Sequence, residues 1–131
     1  MSTTKAYSAS AAKARVLPTE IERRPVAASD VQIAIEHCGV CHTDIHFVNN
    51  DWAMTNYPVV PGHEIVGRVT EVGSAVSKFK VGDRAAIGCL VDSCGVCSNC
   101  ENGHEQYCLN GFTATYNSET KDPGGFTYGG D

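Results

Sequence analysis

The 131-residue sequence predicts a mainly β domain, built as a small barrel with short helices. Two observations carry this. Short segments that alternate apolar and polar residues recur between Gly- and Pro-containing breaks, as closely spaced strands require. Helical periodicity is scarce, and no Gly-x-Gly-x-x-Gly follows a strand. No βαβ unit, and hence no dinucleotide-binding domain, is expected within this chain.

The elements follow in order. Residues 1–27 are read as an N-terminal segment carrying a first strand. That segment has no apolar h-region, which argues against a secretory signal. The polar turn Ala28-Ser29-Asp30 leads into an alternating strand over Val31–Ile35. The best helix candidate runs from Cys41 to about Asn49, with Ile45, Phe47 and Val48 as its apolar residues. Alternation returns over Ile65–Gly73, where Gly67 is expected to mark a bulge or a close backbone approach. Gly82-Asp83 turns the chain into a strand over Arg84–Cys89. A short helical turn is expected within Ser98–Gln106. From Asn110 the chain becomes polar and Gly-rich and reads as loop.

Composition bounds the function. A hydrophobic content of 42% suits one globular domain and argues against disorder. A net charge of −5 and a pI near 5.4 give no basic surface for nucleic acid or an anionic membrane. No stretch approaches the ~20 apolar residues of a membrane span. Seven cysteines without a secretory signal point to a reducing compartment, the cytoplasm, and to metal binding rather than disulfides.

The cysteines are patterned. Cys94, Cys97, Cys100 and Cys108 form a C-x2-C-x2-C-x7-C run. Four thiolates this close in sequence can surround one Zn2+ tetrahedrally, at about 2.3 Å each. Such a site is closed to water and substrate, so this zinc is structural. Upstream, G-V-C-H-T-D-I-H (39–46) and P-G-H-E (61–64) set a thiol, imidazoles and carboxylates in two short segments. Cys38 and Cys89 are left over and read as small core hydrophobes.

At these two segments and the four-cysteine knuckle, the sequence closely resembles medium-chain zinc-dependent alcohol dehydrogenases. The wording D-W-A-M-T-N-Y-P-V-V-P-G-H-E and T-A-T-Y-N-S is most similar to the cinnamyl alcohol dehydrogenase-like branch. The resemblance implies a GroES-like barrel over residues 28–131, with the zinc knuckle at 94–108 and the Rossmann half absent from this chain. It implies NADP(H)-preferring interconversion of primary alcohols and aldehydes. It also implies a homodimer for the full-length enzyme.

Site residues follow by the same resemblance. Cys41 and His63 are ligands of a catalytic zinc, and Glu64 can approach it. The third family ligand, a cysteine, lies beyond residue 131, a ligand set taken over from the family. Asp44 is a carboxylate that accepts the other ring N–H of His63 and fixes its tautomer. Thr43 and His46 pass the substrate proton outward. His42 lies near the cofactor pyrophosphate, and Trp52 walls the substrate pocket. A different class of function remains open: a non-catalytic zinc-binding fragment or interaction module, cut short at Asp131. A third keeps the enzyme and changes its substrates to polyols or amino-alcohols.

Overall fold

The computed structural model describes residues 2–122 and 124–129. Strands dominate. β1 (Ser2–Ser8) and β2 (Leu17–Arg23) form an antiparallel hairpin. β3 (Val31–Cys38), β4 (Ile65–Val72) and β5 (Arg84–Ile87) form an antiparallel sheet in sequence order. The short pair β6 (Leu90–Asp92) and β7 (Thr113–Ala114) closes the base of a lobe. Helix is confined to α1 (His42–Asn49), the single turn α2 (Ser98–Glu101) and a 3-10 turn at Glu105–Tyr107. Among the described residues no helix is long and apolar enough to cross a membrane.

The central strand shows why the sheet forms. Ile65, Gly67 and Val69 of β4 are buried, and Val66, Arg68 and Thr70 between them are exposed. A strand with one apolar face fixes its own register, since a one-residue slip would turn that face to water. Register shifts do occur opposite it, between Gln32 and Ile33 and between Ile35 and His37. Gly67 sits between these irregularities. A Cβ there would collide with the Ala34 carbonyl and the Ile33 side chain, so the expected close approach is present.

A second packed region lies away from the sheet. Ala9, Val59 and Tyr116 are buried together, and Phe47, Val48 and Tyr57 pack against them. Ala9 and Val59 exchange backbone hydrogen bonds of 3.0 and 2.9 Å. This cluster joins the N-terminal hairpin, α1, the 57–60 segment and the chain returning from the knuckle.

The fold departs from the sequence reading in four places. The N-terminal segment holds two strands, not one. Their half-buried faces are thin in apolar residues, so alternation gave little signal, yet the two segments pair without a break from Ser2 opposite Arg23 to Ser8 opposite Leu17. The expected strand over Arg84–Cys89 stops at Ile87 and restarts at Leu90, with Gly88 between. The region after Asn110 is not all loop. It contributes β7 and a bridge between Glu119 and Phe126. Pro123, Gly130 and Asp131, also read as loop, lie outside the described residues, as does Met1. Finally, Cys38 and Cys89 are exposed rather than in the core, because Cys38 ends β3 and Cys89 lies in the break between β5 and β6. The Cys38 sulfur still leans on Gly62, 3.0 Å from where a Cβ would stand.

Gly67→Ala is expected to destabilise the chain by about 2 kcal/mol, the cost of overpacking against a rigid backbone. Urea unfolding of the two proteins side by side checks it. An unchanged midpoint would mean that β3 yields easily.

Candidate metal centres

The knuckle is built locally. Cys97 is the N-cap of α2, and the helix's single turn carries Cys100 inward. The 3-10 turn then swings Cys108 back, and Cys108 N–H donates to the Glu105 carbonyl at 3.0 Å. The four sulfurs all lie within 4.8 Å of one another. Sulfurs at about 2.3 Å from a tetrahedral centre stand about 3.8 Å apart. The Cys94–Cys100 and Cys97–Cys100 separations, 3.9 and 3.4 Å, straddle that value. Backbone N–H groups also point at sulfur, from Leu109 to Cys97 and from Cys94 to Cys108, each at 3.5 Å. The residues therefore fit a closed tetrahedral metal site.

The thiols are not equivalent. Contact with the Val96 backbone, then with the Asn110 side chain, pulls Cys94 down to about 6. The Cys100 and Leu109 backbone groups lower Cys97 as well. At Cys100 the largest single influence, the Ser93 hydroxyl, lowers the thiol. Burial and the neighbouring Cys97 and Cys108 sulfurs outweigh it and push Cys100 up to about 11.

The second centre is assembled from distant segments. β3 pairs with β4 as far as Cys38 opposite Ile65. Beyond that pair, Gly39 N–H donates to the Glu64 carbonyl at 2.8 Å. Cys41, at the N-cap of α1, is thereby laid against His63 and Glu64. One ligand atom from each of the three lies within 4.8 Å of the others. His63 is buried, Cys41 is half-buried and Glu64 is exposed. His63 Nε2 is buried with no hydrogen-bond partner among the described residues. A buried imidazole nitrogen left so is costly in a closed protein interior and natural in a metal ligand.

Asp44 is buried on the first turn of α1. Its Oδ2 accepts from Cys41 N–H at 2.9 Å, which caps the helix and holds the Cys41 backbone. Its Oδ1 has no partner among the described residues, and no hydrogen bond joins it to His63 there. Thr43 is half-buried beside it, and His42 is exposed. The His42 and His46 rings lie 4.7 Å apart, as residues one helical turn apart do. Trp52 packs 4.7 Å from His46 and edge-on to Phe47 at 5.5 Å, yet remains 49% exposed.

Two residues of this region escaped the sequence reading. Asp51 Oδ2 stands 2.8 Å from His46 Nδ1, and that contact holds the Asp51 carboxyl below its ordinary value. The readable signal was the helix stop. Asn50 adopts the left-handed conformation, φ 60°, and Asp51 N–H folds back onto the His46 carbonyl at 3.0 Å. Tyr116 stacks on His63, with centroids 5.4 Å apart. Burial, and then the facing Asp44 carboxylate, push its phenol up. No local signal could have placed it there, since it arrives from beyond the knuckle.

Fold and site together define a GroES-like domain with two metal-ligand clusters. Residues 27–128 match the alcohol dehydrogenase GroES-like domain family, and the chain belongs to it. It is 53% identical over 131 residues to NADP-dependent alcohol dehydrogenase C 1 of Mycolicibacterium smegmatis, covering 99% of this chain and 37% of that protein. To aldehyde reductase YahK of Escherichia coli it is 52% identical over 126 residues, covering 96% and 36%. A solved cinnamyl alcohol dehydrogenase of Sorghum bicolor superimposes with a TM-score of 0.93 at 42% identity, covering 98% of this chain and 36% of that one. A Helicobacter pylori cinnamyl alcohol dehydrogenase, solved with NADP(H), gives 0.92 at 36% identity, covering 98% and 37%. The chain thus spans little over a third of the relatives it matches.

In the metal-free chain at neutral pH, iodoacetamide is expected to label Cys94 before Cys100. Cys94 is a thiolate above about pH 6, whereas Cys100 stays protonated until about pH 11. Peptide mapping by mass spectrometry checks the order, and zinc should suppress both reactions. Equal labelling would mean that the knuckle sulfurs do not sit in this arrangement.

Proposed function

We propose that this chain is the N-terminal catalytic portion of a zinc-dependent, NADP(H)-preferring alcohol dehydrogenase or aldehyde reductase. Its substrates are primary alcohols and the corresponding aldehydes. The observation that carries the reading is the gathering of Cys41, His63 and Glu64 ligand atoms within 4.8 Å at the β3–β4 junction. The relatives' NADP dependence and aldehyde reduction support the choice of cofactor and chemistry. Zinc, when bound, supplies a Lewis acid for the substrate oxygen, and the nicotinamide supplies or takes the hydride.

The chain's own residues do the rest. Cys41, His63 and Glu64 would hold the metal, while Asp44 holds the Cys41 backbone. The Thr43 hydroxyl both accepts and donates, so it can take the substrate proton and hand one on. His46 receives it. With Nδ1 turned to Asp51, the imidazole keeps its proton there and leaves Nε2 as the basic atom. Trp52 gives a flat wall beside His46, which suits an aromatic or extended aldehyde. His42, exposed at the start of α1, is available as a donor to the cofactor pyrophosphate. The seven cysteines, free among the described residues, support a reducing compartment such as the cytoplasm. A homodimer of the complete enzyme is proposed on family resemblance alone.

The test is an assay of the protein that carries this domain together with its dinucleotide-binding half. Zinc-dependent aldehyde reduction with NADPH is expected. His46→Gln should lower kcat by about 10²-fold with little change in zinc content, the usual worth of a positioned general acid–base group. Cys41→Ser should abolish turnover while leaving the knuckle zinc in place. Absence of any zinc-dependent turnover would favour the other reading, a domain that binds zinc without catalysis.

A further inference from the structure

Three buried polar atoms lack a hydrogen-bond partner among the described residues: Asp44 Oδ1, His63 Nε2 and the Tyr116 hydroxyl. They belong to one neighbourhood. The Tyr116 ring is stacked on the His63 ring, inclined by 30°, and the Asp44 carboxylate faces its phenol. A metal at the Cys41–His63–Glu64 site accounts for His63 Nε2. Asp44 Oδ1 and the Tyr116 hydroxyl are then left as an acceptor and a donor buried side by side.

Tyr116 is itself rigidly placed. It is 3% exposed, packed with Ala9 and Val59, and set edge-on to Phe47 at 5.1 Å. Its neighbours are pinned from both sides. Thr115 N–H donates to the Cys89 carbonyl at 3.2 Å. Asn117 N–H donates to the Thr127 carbonyl at 3.0 Å, and its Oδ1 accepts from Asn56 N–H at 3.0 Å. A ring held this firmly can hold what lies against it.

We propose that Tyr116 is a positioning residue for the Cys41–His63–Glu64 centre, acting on His63 through its ring and on Cys41 through Asp44. Its ring fixes the plane of the His63 imidazole. Its hydroxyl, unpartnered as the structure stands, would serve as the donor to Asp44 Oδ1 when the centre is occupied, and that carboxylate already holds Cys41 N–H through Oδ2. A carboxylate has about four lone-pair sites, so this bond leaves room for the His63 ring N–H as well. The inference rests on the reading of that centre as a metal site.

Tyr116→Phe separates this role from a merely structural one. The ring and its packing stay, and only the hydroxyl goes. An idle buried hydroxyl costs stability, so a structural role alone makes the change neutral or stabilising, with metal binding untouched. The measurement is Co2+ titration of the full chain followed by absorption. The four-cysteine site, with its intense thiolate bands, serves as an internal standard. The expected result is a loss of about 10-fold in Co2+ affinity at the Cys41–His63–Glu64 site, the usual scale for a partner of a metal ligand. Affinity at the knuckle should not change, nor should the melting temperature of the metal-free chain fall. Equal Co2+ affinity in wild type and Tyr116→Phe would overturn the inference and spare the site. Failure of the wild-type chain to take Co2+ at Cys41, His63 and Glu64 would overturn the site and the inference together.

Discussion

Gly39 donates to the Glu64 carbonyl just past the last pair of the β3–β4 ladder. That single bond carries the pairing of two strands into the loops beyond them, and it is where the second candidate metal centre begins. Without it, Cys41 belongs to a helix and His63 to the approach of a strand, with nothing to bring them together. The bond works because the ladder behind it is fixed. Ile65 and Val69 are buried on one face of β4, so the register cannot slip without exposing both. Gly39 also clears room, since a Cβ there would run into the Glu64 carboxylate.

The two centres are held by different means, and this fits what each would do. The knuckle takes all its ligands from one short stretch, and its thiols are tuned by nearby backbone and side-chain contacts. A site closed by four protein ligands contributes to folding and offers no position to substrate. The other centre draws on two segments, backed by the Asp44 cap and the stacked Tyr116. Its ligands run from buried His63 to exposed Glu64, so one side is firm and one side open.

What the sequence revealed tracks how local each feature is. The knuckle was legible because its cysteines are spaced for a shared ion. Cys41 and His63 were legible as motif residues, although only strand pairing explains their meeting. β4 showed itself by clean alternation, and Gly67 by interrupting it. The features that escaped are those made by distant partners. The β1–β2 hairpin joins two weakly apolar segments, and β7 is a strand only because the knuckle returns the chain to Leu90. Asp51 reaches His46 through a left-handed Asn50, and Tyr116 reaches His63 only in the packed molecule. Cys38 and Cys89 were misplaced because small apolar residues at strand ends and breaks need not be covered.

The β3–β4 junction gathers a metal-ligand set separate from that of the knuckle. Native mass spectrometry of the zinc-saturated chain tests most directly whether that set holds its own ion. Two zinc ions per chain are expected, one for each ligand cluster, and Cys41→Ser should remove one of them. A chain that saturates with a single zinc, and retains it when Cys41 is replaced, would contradict the claim.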